Sequence, residues 1–280
     1  MYDQQYRPQS FQLLPPVIKN LLIINGLFFL TTMVFENQGI DLIRFLGLHY
    51  FSSEFFRPYQ FITYMFMHGG FSHVLFNMFA LWMFGNVLEN FWGSKRFLIF
   101  YMITGIGAAL IFLGYQAFEY SRVHAAISEL TVAPSPEAYF SLVSKHFGGL
   151  MEIPEIKLHV LTFVNDWSNN LTDTQYANTA LNDLNTLLLQ QINTPMVGAS
   201  GAVYGVLLAF GMLFPNTNIY VYFLFPIKAK YFVIMYGAVE LFMGIANTPG
   251  DNVAHFAHLG GMLFGFVLIK YWQRSRNQFY

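Results

Sequence analysis

The sequence predicts an all-α membrane protein: a bundle of six transmembrane helices with an extracytoplasmic insertion between the third and the fourth. Three observations predict it. The 280 residues are 55% hydrophobic and only 10% charged, against about 25% charged for an ordinary soluble domain. Six mainly apolar stretches, 17–35, 71–91, 97–114, 196–214, 230–247 and 253–272, come near the roughly 17 to 25 residues that a helix needs to cross a hydrocarbon core of about 30 Å. Between the third and fourth lies a polar segment, 115–195, too hydrophilic to cross and too long for a simple loop.

Taken in order, residues 1–16 read as a cytoplasmic tail and 17–114 as the first three spans, with an outer loop at 36–70. The first apolar run, Val17 to Phe35, exceeds a signal-peptide core and lacks an A-x-A site after it, so it reads as an uncleaved span. Within the insertion, Glu137 to Phe147 and Ala177 to Ile192 have amphipathic helical spacing, as in Leu181, Leu184, Leu188 and Ile192. Segment 196–272 holds the last three spans, separated by turn signals at Pro215-Asn216 with Pro226 and at Thr248-Pro249-Gly250. Residues 273–280 form a second cytoplasmic tail.

Orientation follows from the basic residues, which concentrate in short cytoplasmic loops. Arg7, Lys19, Lys95, Arg96, Lys228, Lys230, Lys270, Arg274 and Arg276 fall on the side of the termini, beside helix ends. Arg44, Arg57, Arg122, Lys145 and Lys157 are spread over longer loops on the other side. The termini are therefore expected in the cytoplasm and the insertion outside. A net charge of −1 and no basic stripe exclude nucleic acid as a natural partner. With no cysteine there is no disulfide framework, thiolate metal site or cysteine nucleophile.

A histidine or asparagine inside a span is a functional hypothesis by default, and depth is the informative coordinate. Span two enters from outside with His73 and Asn77 on one helical face at i, i+4. Span four enters with Ser200 about one turn inside, and span six with His255 and His258 in its first two turns. Three distant spans thus bring serine, histidine and asparagine to one outer level. Those are the parts of acyl transfer: a nucleophile, a base, and donors for an oxyanion. Gly201 with Gly205 and Gly261 with Gly265 are G-x-x-x-G pairs, which allow helices to approach closely in lipid.

With these motifs in view, the chain resembles the rhomboid family. Gly198-Ala199-Ser200-Gly201, with Tyr204 and Gly205 following, is similar to its G-x-S-G segment. Ala257-His258-Leu259-Gly260-Gly261 with Gly265 is similar to A-H-x-x-G-x-x-x-G of its last core helix. His68, His73 and Asn77 match its H-x4-H-x3-N signature, and Gly85, Glu89 and Gly93 match the cytoplasmic end of its second helix. The resemblance covers the six spans and not the insertion. Tyr59-Gln60 stand where the family often carries Trp-Arg in the first outer loop.

The resemblance implies a serine endopeptidase that cuts transmembrane segments of membrane proteins through a Ser-His dyad and an acyl-enzyme. It implies Ser200 as nucleophile, His258 as general base and acid, Tyr204 packed on the histidine ring, and His73, Asn77 and the Ser200 amide as the oxyanion hole. Gly198, Gly201, Gly261 and Gly265 would support the site. His255 competes as base, but only His258 has glycine at both +3 and +7. No cofactor or metal is expected. The partners would be transmembrane substrates and the lipid bilayer, in a bacterial inner membrane with the site facing the periplasm.

Blander readings stand beside these. Alone, Ser200 among small residues is a helix-packing serine, and His73 or His258 alone is a histidine bonded to a neighbouring helix. A soluble nucleophile elbow is excluded, since G-x-S-x-G needs glycine where Ala202 stands. His68 reads as structural, as do Asn86 and Glu89. Glu240 in span five reads as a bonded or protonated carboxyl rather than a group tuning substrate entry. The rivals are a non-catalytic escort of the same fold, a metal site on His68, His73, His255 and His258, and a transporter, for which the hydropathy shows no internal repeat.

Overall fold

A computed structural model describes residues 11–221, 224–246 and 253–276 of the chain. The first ten residues, the last four, and the turn expected at Thr248-Pro249-Gly250 lie outside the described residues.

Helix α1, Pro16–Glu36, begins with proline, whose missing N–H is harmless in a first helical turn. Its next two amides, of Val17 and Ile18, donate to Glu89 Oε1 and Oε2 at 2.9 and 2.8 Å. Ser94 Oγ donates to Glu89 Oε1 at 2.6 Å. A buried carboxylate on one helix thus caps the positive end of another. Asn86 Nδ2 donates to Leu13 O at 2.7 Å, so Glu89 holds the start of α1 and Asn86 the segment that leads into it.

The first loop carries two short helices, α2 (Leu42–Leu46) and α3 (Gln60–Thr63). Gln60, fully buried, organises it. Its Oε1 accepts from the amides of His49 and Arg57 at 3.3 and 3.1 Å, and its Nε2 donates to the carbonyls of Phe45 and Phe55 at 3.1 and 2.9 Å. The position at which this sequence departs from the family's Trp-Arg pair is therefore the loop's own anchor.

Helix α4, Phe71–Ala80, continues through a π-helical turn at Leu81–Gly85 into α5, Asn86–Trp92. Gly93, at φ +80°, turns the chain into α6, Ser94–Val132. At 39 residues, α6 is about 58 Å long, roughly twice the hydrocarbon thickness. The expected boundary at 115 is not a helix end. Residues 115–132 contain neither glycine nor proline, and their apolar stripe Tyr120, Val123, Ile127 and Leu130 simply changes partners. It packs on α7 (Pro136–His146), α8 (Pro154–Asn169) and α9 (Gln175–Ile192) in a second core around Tyr139, Trp167 and Leu184. Helices α7 and α9 coincide with the two expected amphipathic stretches. Helix α8 was not anticipated, although Ile156, Val160, Phe163 and Trp167 carry a helical period.

The last part of the chain holds α10 (Ser200–Leu213), a β-hairpin of β1 (Asn218–Val221) and β2 (Phe225–Lys228), α11 (Ala229–Ala246) and α12 (His255–Arg276). The hairpin stands where only breaks were expected. Its strands pair antiparallel, with Ile219 opposite Ile227 and Tyr220 opposite Pro226, and their β-branched and aromatic residues suit a ribbon. Among the described residues, Pro16–Glu36, Phe71–Trp92, Ser94–Val132 and Ala229–Ala246 are long and apolar enough to cross a membrane, and Ser200–Leu213 is a shorter apolar helix.

Helix α10 does not begin at 196 as expected. It has 14 residues, about 21 Å, and the segment before it is extended. Met196 exchanges both backbone hydrogen bonds with Leu48, at 2.9 and 2.8 Å, and the Gly198 amide donates to Tyr64 O at 2.9 Å. Irregular backbone is tolerated at membrane depth only where protein satisfies its polar groups, and these bonds do so.

Gln60→Leu would take the side-chain partner from the His49 and Arg57 amides and from the Phe55 carbonyl in the buried first loop, whereas Phe45 O would keep the Tyr59 hydroxyl. At about 1 to 3 kcal/mol for each stranded group, the variant is expected to melt well below wild type in detergent by circular dichroism. An unchanged midpoint would show that the loop has another anchor.

Candidate active site

Helices α6, α10 and α12 meet at glycines. A Cβ on Gly201 would lie 2.4 Å from Ala108 Cβ, and one on Gly205 would lie 2.7 Å from Thr104 Cβ. On Gly261 it would lie 1.8 Å from the Gly201 carbonyl oxygen, and on Gly265 it would lie 3.4 Å from that of Gly205. Both glycine pairs singled out in the sequence therefore face one another across α10 and α12.

That approach brings together two side chains 58 residues apart. His258 Nε2 and Ser200 Oγ are 2.8 Å apart. The Tyr204 ring lies on the His258 imidazole with centroids 4.2 Å apart and planes within 8° of parallel. Ser200 is the first residue of α10, a level higher than the one turn inside a helix that the sequence suggested. Amides in a first turn lack intrahelical acceptors and sit at the positive end of the helix dipole.

Gly198 holds the approach to Ser200 at φ +126°, a conformation that only glycine adopts easily. A Cβ there would also lie 2.7 Å from His73 Nε2 and 3.6 Å from Ser200 Oγ. The His73 ring and the serine hydroxyl thus flank one point. Asn77, one turn after His73 on α4, is buried and its Nδ2 donates to nothing in the protein. An unspent donor in a buried amide is an expensive feature unless something else accepts from it. His68, in the loop before α4, packs edge-on against His73 at 5.0 Å between centroids. Burial, and then the neighbouring His73, push its imidazole down to about 4, so it stays neutral at physiological pH.

The residue missed in the sequence is Glu240. Its Oε2 meets His258 Nδ1 at 2.9 Å and His255 Nδ1 at 2.6 Å, and its Oε1 accepts a hydrogen bond from the Tyr204 hydroxyl. The carboxyl is bonded, as read from the sequence, but to the candidate base itself. The signal for it was a carboxylate in an apolar span, a functional hypothesis by default. The four histidines considered as metal ligands divide into two groups, His68 with His73 and His255 with His258. Glu240, His255 and His258 present ligand atoms within 4.8 Å of one another. Both Nδ1 atoms already share the carboxylate with Tyr204, a set that closes with protons alone.

The Rhomboid domain family model matches residues 56–142 and 174–275, leaving out the middle of the second helical core. The chain is 24% identical to RHOMBOID-like protein 12, mitochondrial, of Arabidopsis thaliana over 93% of its own length and 59% of that protein's. It is 24% identical to Rhomboid protein 1, mitochondrial, of Saccharomyces cerevisiae over 76% of its length and 42% of that protein's. It is 38% identical to Rhomboid protease GluP of Bacillus subtilis over 21% of its length and 12% of that protein's. The chain therefore spans less than two thirds of each of these relatives.

Gly261→Ala forces a methyl group into a backbone carbonyl that cannot step aside. Gly114→Ala meets nothing within 4 Å and removes a helix-interior glycine, which favours the helix by roughly 0.5 to 1 kcal/mol. Thermal midpoints in detergent are expected to fall for the first and to stay level or rise for the second. Equal midpoints would mean that α10 and α12 do not pack as described.

Proposed function

Because the chain belongs to the rhomboid family, whose members are in general intramembrane serine proteases, we propose that it is an intramembrane serine endopeptidase that cuts transmembrane segments of membrane proteins. The observation that carries the proposal is the 2.8 Å contact between Ser200 Oγ and His258 Nε2. In this reading His258 Nε2 takes the hydroxyl proton as Oγ attacks a peptide carbonyl. The same nitrogen then returns the proton to the leaving amine, giving an acyl-enzyme. Water, deprotonated in turn by Nε2, hydrolyses the ester and restores the serine.

The negative oxygen of each tetrahedral intermediate falls to His73, the Ser200 amide and the unspent Nδ2 of Asn77. Donors placed where charge develops contribute roughly 3 kcal/mol each in acyl-transfer sites. An intact helix shields its carbonyls, so substrates would be spans whose upper turns unwind readily.

In this account six spans cross the membrane, with both tails cytoplasmic and the second helical core outside, as the distribution of Lys and Arg suggests. The compact layout is the support for a bacterial inner membrane with the site toward the periplasm, and the relatives matched over most of the chain are mitochondrial. The mitochondrial relatives name the competing compartment.

The test is cleavage of helix-unstable transmembrane reporters by purified protein in detergent. Ser200→Ala and His258→Ala are expected to abolish cleavage, Asn77→Ala to lower kcat by about 10²- to 10³-fold, and a chelator to have no effect. Loss on chelation would favour a metal at His255 and His258. Failure of folded wild type on every reporter would favour the escort reading.

A further inference from the structure

We infer that Glu240 is the third member of the catalytic array, a positioning residue that fixes the tautomer of His258 and stabilises its imidazolium. The inference rests on the protease reading and goes beyond the dyad which the family resemblance supplies.

Donors and acceptors fix the tautomer of His258. A carboxylate only accepts, so the nitrogen of His258 that meets Glu240 Oε2 at 2.9 Å, Nδ1, must carry the proton. Nε2 is then the bare nitrogen, 2.8 Å from Ser200 Oγ and ready to accept its proton. With the opposite tautomer Nε2 would carry a hydrogen toward the serine, and no base would be in place.

The carboxylate is itself held from three sides. Tyr204 O–H reaches Oε1 from α10, and Nδ1 of both His255 and His258 reach Oε2 from α12. It is buried, with 6% of its surface exposed, so its position is set by these bonds rather than by solvent. Tyr204 also stacks on the His258 ring, so one tyrosine fixes both the imidazole plane and the acid that orients it.

The groups facing His258 can be named. His73 approaches from α4, Ser200 and Tyr204 lie on α10, Glu240 on α11 and His255 on α12 itself, whereas α6 turns Gly107, Ala108 and Ile111 toward α12. Glu240 is the one acid in this set. When Ser200 gives its proton to Nε2, the positive charge forms beside that carboxylate. Glu240 keeps its negative charge and takes no proton, so the proton balance is that of the dyad. The gain is electrostatic and orientational.

The experiment compares full-length wild type, Glu240→Gln and Glu240→Asp on a reporter, with Ser200→Ala as the zero of activity. Glu240→Gln is expected to lower kcat by about 10²- to 10⁴-fold, by analogy with the loss of a triad carboxylate, with KM changed less than threefold. Glu240→Asp keeps the charge and should recover part of the rate. Wild-type kcat in Glu240→Gln overturns the inference, as does a change confined to KM, which would mean a role in substrate entry, or a rate lost as fully in Glu240→Asp as in Glu240→Gln, which would mean a packing role.

A second measurement needs neither turnover nor a change at Glu240. Nitrogen NMR of ¹⁵N-histidine-labelled Ser200→Ala protein should show His258 protonated on Nδ1 and bare on Nε2. The opposite tautomer overturns the inference even if the protein is a protease. An inactive wild type with the expected tautomer would instead remove the protease reading and leave the pairing intact.

Discussion

The contact on which the rest of the structure depends is the approach of two backbones, α10 and α12, at Gly201 and Gly261. Lipid offers no hydrophobic drive to press helices together, so packing distance must come from side-chain size. Any Cβ at Gly261 would run into the Gly201 carbonyl. Ser200 stands one residue before the first of these glycines and His258 three before the second. The hydrogen bond between them is thus a consequence of a backbone contact, and a wider helix pair would leave both as bland buried polar residues.

A second constraint shapes the polar groups around that contact. In a bilayer each buried donor or acceptor needs a partner inside the protein. Glu89 caps α1, Gln60 ties together four backbone groups of the first loop, and Glu240 gathers two imidazoles and a phenol. These groups spend their hydrogen-bonding capacity inside the protein. Asn77 Nδ2 does not, and it sits one turn from His73 on the helix that faces the serine. Tyr101 Oη and the ring nitrogens of His68 also lack partners in the protein, so it is its place beside His73 and Ser200 that suits Asn77 to the oxyanion role proposed above.

Much of this was legible in the sequence. Hydropathy and length located the apolar helices, since lipid demands long apolar runs. Spacing paired the glycines and put His73 and Asn77 on one face. Glu240 escaped because no motif or period links a lone acid on α11 to α12, and only the fold brings them together. Helix α8 has its period in Ile156, Val160, Phe163 and Trp167, diluted by the polar residues of a surface helix. The length of α6 was hidden by a polarity change at 115 that marks a change of surroundings and not of secondary structure. The start of α10 at Ser200 was hidden because 196–199 are as apolar as the helix they precede, while their backbone pairs instead with Leu48 and Tyr64.

The central claim is that Ser200 is a nucleophile made reactive by His258. The measurement that tests it most directly is covalent labelling of purified protein with a fluorophosphonate, read by mass spectrometry of its peptides. One adduct is expected, on Ser200, formed by wild type and absent from folded His258→Ala protein. An unlabelled Ser200 in folded wild type, or equal labelling with and without His258, would contradict it.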